Sequence, residues 1–98
     1  MVMGWFDAAE AERFGVKLAE FFVQRIPPKN PGRKVMTLEK QLAVVDKMYL
    51  QIEQFKQEHR MNLYKKAKLG NAFKWHLLSA GYEKEFVDQV TEGLLHKL

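Results

Sequence analysis

The chain has 98 residues, of which 47% are hydrophobic and 29% charged, with seven Phe, three Tyr, two Trp, no Cys and a formal net charge of +4. That size and composition suit one globular domain with its own apolar core, and they exclude wholesale disorder and any disulfide or thiolate-metal staple. The charge is uneven: residues 25–40 carry a net +4 and residues 56–76 a net +5, separated by mildly acidic stretches.

The opening Met1-Val2-Met3-Gly4-Trp5-Phe6-Asp7 lacks the basic start and the apolar run of an export signal. No apolar run approaches the ~20 residues that span a bilayer. No membrane span and a cytoplasmic address are therefore expected, in the manner of a small bacterial protein. Trp5 and Phe6 precede the first helix signal and are read as a lid folded over the core or as a contact for a partner.

Asp7 followed by Glu10 is a capping-box-like pair, and Ala11, Phe14, Leu18, Phe21 and Phe22 recur at helical spacing. A first helix is expected over 7–26, ended by Pro27 and Pro28. Residues 27–36 hold all three prolines and read as a loop with a turn at Pro31-Gly32. Thr37 is a suitable N-cap for a second helix over 37–69, whose apolar stripe runs Leu38, Leu42, Val45, Met48 or Tyr49, Ile52, Phe55, His59 and Leu63.

Unbroken, that helix would be about 48 Å long, against a diameter of about 33 Å for a compact domain of this size. It either breaks near His59 to Asn62 or has its overhang covered by a second subunit. Gly70 suits a C′ position and Asn71 a cap for a third helix over 71–80. Gly81 suits a Schellman turn with Tyr82 at C″ near Leu77. A fourth helix follows over 83–97, with acidic residues at its start and His96 and Lys97 at its end. The expected fold is all-α: an irregular four-helix bundle with one long central helix and a proline-rich loop after helix 1.

Residues for catalysis are scarce. One Ser, two Thr and no Cys supply little for an activated nucleophile. His59, His76 and His96 are 17 and 20 residues apart, without the spacing that puts two metal ligands on one helical face. Glu83, Glu85, Asp88 and Glu92 space as a solvated helical face. No catalytic, metal or cofactor site is expected.

The segment Phe73-Lys-Trp-His-Leu-Leu-Ser-Ala-Gly-Tyr82, followed by Phe86, Val87 and Val90, resembles the Leu-x-x-x-Gly-Tyr helix-turn-helix units of small three-helix modules such as RecX-type repeats. The resemblance covers about a quarter of the chain and rests on one glycine turn with apolar spacing. It implies a helical corner and carries no function.

The leading functional expectation is a noncatalytic helical interaction or adaptor protein, a homodimer or the partner of another protein, contacting it through Trp5, Phe6, Ile52, Phe55, His59 and Leu63. The alternative is a nucleic-acid-binding accessory protein using Lys65, Lys66, Lys68, Lys74 and Trp75. Projected at about 100° per residue, Lys56, Arg60, Lys65, Lys66 and Lys68 encircle a helix instead of lining one face, which weakens a groove-binding reading.

Overall fold

A computed structural model describes residues 2–28 and 37–98; of residues 2–7 and of Leu38 it describes the backbone. Four helices follow in order: α1 Val2–Arg25, α2 Leu38–Glu58, α3 Leu63–Ala80 and α4 Lys84–His96. The described residues hold no strand. The all-α four-helix reading stands, with three changes of boundary.

The first change is at the amino end. Helix α1 begins at Val2, five residues before Asp7, so Trp5 and Phe6 are helical residues and not a strap ahead of a cap. The second is the central helix, which ends at Glu58. His59 is extended (φ −133°, ψ 135°), and Asn62 (φ −141°, ψ 177°) starts a new helix by accepting a hydrogen bond from the Lys65 N–H at 2.8 Å. Asparagine is among the strongest N-caps, and its cap here outweighs the apolar periodicity that ran on to Leu63.

The third change follows from the second. Gly70 and Asn71 lie in the interior of α3, not at a boundary, so the break at 59–62 leaves the count at four. The expected turn at Pro31-Gly32 lies outside the described residues.

Cross-contacts fix an up-down-up-down course. Glu10 meets His59 and Phe14 meets Phe55, so α2 runs antiparallel to α1. Gly15 meets Leu69 and Ala72, and Phe22 meets Phe73, so α3 runs parallel to α1. Gly70 meets Leu95 and Lys74 meets Asp88, so α4 runs antiparallel to α3. Helix α2 also reaches α4, where Lys56 Nζ donates to the Lys97 carbonyl at 2.9 Å.

The most extensive helix–helix contact is between α1 and α3, not the α1/α2 hairpin that their order suggests. Small residues explain it. Ala8, Ala11, Gly15 and Ala19 are buried along one face of α1. A Cβ on Gly15 would press into the Leu69 carbonyl oxygen and stand 3.2 Å from the Ala72 Cβ. With no side chain there, the two backbones touch, and Leu18, Phe22, Leu69, Phe73 and Leu77 close the core around that contact.

Helices α2 and α4 cover the same side of this α1/α3 pair. At about 100° per residue, Phe14, which stacks on α2, and Val16 point to opposite sides of α1. Gly70, which meets α4, and Ala72 do the same on α3. The molecule measures 50 × 23 × 18 Å. No helix among the described residues is long and apolar enough to cross a membrane.

The α3–α4 corner forms as its sequence dictates. Gly81 is left-handed (φ 104°), the Gly81 N–H donates to the Leu78 carbonyl at 3.1 Å and the Tyr82 N–H to that of Leu77 at 3.3 Å. That is the Schellman pair with Tyr82 at C″. The buried Tyr82 hydroxyl donates to the Ile26 carbonyl, tying the corner to the end of α1, and burial pushes the phenol up from 10.0 to about 12.

Two predictions follow from this packing. Gly15→Ala is expected to cost about 1–3 kcal/mol, because a backbone carbonyl cannot rotate away. Gly70→Ala, whose Cβ would meet the end of the Leu95 side chain at 3.0 Å, is expected to be near neutral, since Leu95 can yield and alanine favours the helix. Urea denaturation of both variants checks the contrast. Tyr82→Phe is expected to cost about 1–2 kcal/mol at neutral pH by orphaning the Ile26 carbonyl. A raised folded-state value holds stability in full below the ordinary tyrosine value and surrenders it as pH climbs from 10.0 towards about 12. Denaturation midpoints across that window should fall less steeply in Tyr82→Phe than in the parent chain.

Candidate interaction surface

The second half of the α2 stripe faces inward, whereas Leu42 is 54% exposed and Val44, outside the expected stripe, is buried. Val44, Met48, Ile52 and Phe55 are buried in the common core, so Ile52 and Phe55 have little surface to offer a partner and are corrected from contact residues to core. Phe55 lies between two rings: Phe14 stacks on one side at 4.2 Å and 6°, and His59 on the other at 4.2 Å and 15°. His59 is half-buried, and its Nε2–H donates to Glu10 Oε2 at 2.5 Å. It fastens the end of α2 to α1. Leu63 is 84% exposed at the start of α3 and does not continue the stripe. The side chains of Trp5 and Phe6 lie outside the described residues.

The five residues of the nucleic-acid reading are not brought together. Lys65 is buried, its Nζ donating to the Arg60 carbonyl, so this lysine clips the α2–α3 turn instead of reaching solvent. Lys74 pairs with Asp88 at 3.2 Å. Lys66 and Lys68 remain partly exposed, with the Lys68 ammonium 5.7 Å from the Tyr64 ring centroid.

What the structure does assemble is a line along α3. Tyr64, Lys68, Asn71 and Trp75 recur at steps of four, three and four, which places them on one face. Trp75 is 64% exposed and Tyr64 57%. Beside Trp75 an open groove of about 410 Å³ runs between α3 and α1, lined by Val16, Ala72, Trp75, His76, Ser79 and Ala80. This is the side of the α1/α3 pair that neither α2 nor α4 covers.

The groove walls differ in charge. Of the four lysines of α3, Lys68 is the one on the groove face, Lys65 being buried and Lys74 paired with Asp88, while Glu12 and Glu20 stand exposed one turn either side of Val16 on α1 and Arg13 and Lys17 stand exposed further round that helix. A second groove, of about 350 Å³, lies between α3 and α4 under the Lys74–Asp88 pair. The buried Thr91 Oγ1 at its edge has no hydrogen-bond partner among the described residues. No cluster of three metal-ligating side chains occurs among the described residues.

Sequence reasoning singles out Lys68 and Trp75 but not the face that they share with Tyr64 and Asn71. A boundary at Gly70 divides Tyr64 and Lys68 from Asn71 and Trp75, and the four share a face only once Asn62 is taken as the start of a continuous helix. Val16 and Ala72 carried no signal, because a valine and an alanine on a helix are ordinary until the opposite helix is known.

Comparison with family models, with curated proteins and with solved structures gives no match.

The two lysines are expected to behave oppositely. Lys65→Ala should destabilise the fold by about 1–3 kcal/mol through the unpaired Arg60 carbonyl and lost packing, whereas Lys68→Ala should stay within about 0.5 kcal/mol of the parent chain. Thermal melts followed by circular dichroism read both.

Proposed function

We propose that this chain is a noncatalytic helical interaction protein that engages another protein through the open α1/α3 face, with Trp75 at its centre. The observation that carries the reading is the 64% exposure of Trp75 beside the groove. Large aromatics in a chain this size are worth more buried, and an exposed Trp flanking an apolar cleft has the composition of a binding hot spot. Tyr64 extends the face along α3.

The groove has little with which to do chemistry. His76 and Ser79 both line it, but no hydrogen bond among the described residues links the imidazole to the hydroxyl, as a nucleophile and its base require. The nucleic-acid alternative is reduced to Lys66, Lys68 and Trp75 by the burial of Lys65 and the pairing of Lys74, a small electrostatic footprint.

A photo-crosslinking amino acid placed at position 75, and separately at the exposed Lys47 on α2, tests the reading in cells. Protein adducts are expected from position 75 and not from position 47. Adducts from 47 alone would move the interaction to another face, and adducts from 75 to nucleic acid would revive the alternative.

A further inference from the structure

The α1/α3 face carries Glu12 on its α1 side and Lys68 on its α3 side, and the geometry points to a second copy of this chain as its occupant. This rests on the reading of that face as the interaction surface and names the partner. The register is set inside the monomer: Gly15 lies against Leu69 and Ala72 in a parallel pair of helices. Glu12, about one turn before Gly15, therefore stands at the level of Lys68, and Glu20 at the level of Trp75 and His76.

A twofold axis running along the groove lays α1 of each copy over α3 of the other without changing these levels. Glu12 of one copy then faces Lys68 of the second copy, twice over. Trp75 of each copy comes down on Val16 and the half-buried Val23 of the other. Such an interface is isologous, and the two Glu12–Lys68 pairings make it self-complementary. Arg13 and Lys17 lie about 100° and 140° round α1 from Glu12, away from α3, and so beside Glu20 and not beside the Glu12–Lys68 pairing.

The available area sets the strength. A face 18 residues long and two helices wide measures about 27 by 20 Å, or roughly 540 Å². That is below the ~800 Å² per partner of a tight complex. A reversible dimer in the micromolar range is the consequence.

Analytical ultracentrifugation of the full chain from about 1 to 500 µM tests it. The parent chain is expected to pass from monomer to dimer. Trp75→Glu, Glu12→Lys and Lys68→Glu, all at exposed or partly exposed positions, should each keep the parent's helical circular dichroism and weaken the dimer about tenfold or more. The decisive arm mixes the Glu12→Lys and Lys68→Glu chains. Each alone sets like charges against each other across the axis, whereas the mixture restores two attractive pairs and should recover the dimer. Rescue by mixing cannot come from a contact within one chain.

A chain that stays monomeric up to the highest concentration overturns the proposal. So does a dimer indifferent to these substitutions, or one that mixing fails to rescue. Crosslinks from position 75 to a different protein, with the chain monomeric, would sustain the interaction face while removing the second copy from it.

Discussion

The backbone contact of Gly15 with Leu69 decides how this chain is arranged. Helices ordinarily keep 8–10 Å between axes because side chains intervene, and here the glycine and the alanines around it remove that spacer along α1. In most up-down-up-down bundles the first and third helices are diagonal neighbours across a core. In this chain they touch, and the core is displaced to one side of them, where α2 and α4 cover it. The opposite side is left uncovered, so the exposed Trp75 and its groove are products of the same glycine that creates the packing. Fold and surface thus share one cause.

Around that contact, polar groups do the fastening. The Tyr82 hydroxyl holds the Ile26 carbonyl, the His59–Glu10 pair joins the end of α2 to α1, and the Lys65 ammonium holds the Arg60 carbonyl. Each fastening sits where a helix ends, where unpaired backbone groups and chain reversals concentrate. Two of the three employ residues that could pass for functional ones, a histidine and a lysine. Their side chains are committed to neighbours in this chain, which is why burial and pairing say more about their role than residue type.

Legibility from sequence followed the range of the interaction. Thr37, Gly81 and Tyr82 were readable because a cap or a Schellman turn is decided within about four residues. The Asn62 cap is equally local, but the apolar stripe of α2 masked it, and Leu63 was counted with that stripe although it faces solvent. Gly70 was misread for the opposite reason. A glycine before an asparagine resembles a helix end, and nothing local reveals that Leu95 of α4 packs over it. The basic segment looked like a surface because composition cannot show that Lys65 is buried or that Lys74 meets Asp88. Of the candidate face, Lys68 and Trp75 are visible in the sequence; the groove beside them depends on how α1 meets α3, which no short window contains.

That pairing also governs how the chain comes to be folded during synthesis. The helical hairpin of α3 and α4 joins neighbours in sequence, but α1 finds its main partner only after α2 and the segment before it have been made. Such long-range contact raises the contact order above that of a simple helical bundle, and with it the entropy lost before the core is rewarded. On the ribosome, the alanine and phenylalanine face of α1 emerges before α3 and waits for its main partner until α3 is complete. A nascent chain interrupted within α3 therefore presents that apolar face to its surroundings, and the native protein hides it against the helix it was waiting for.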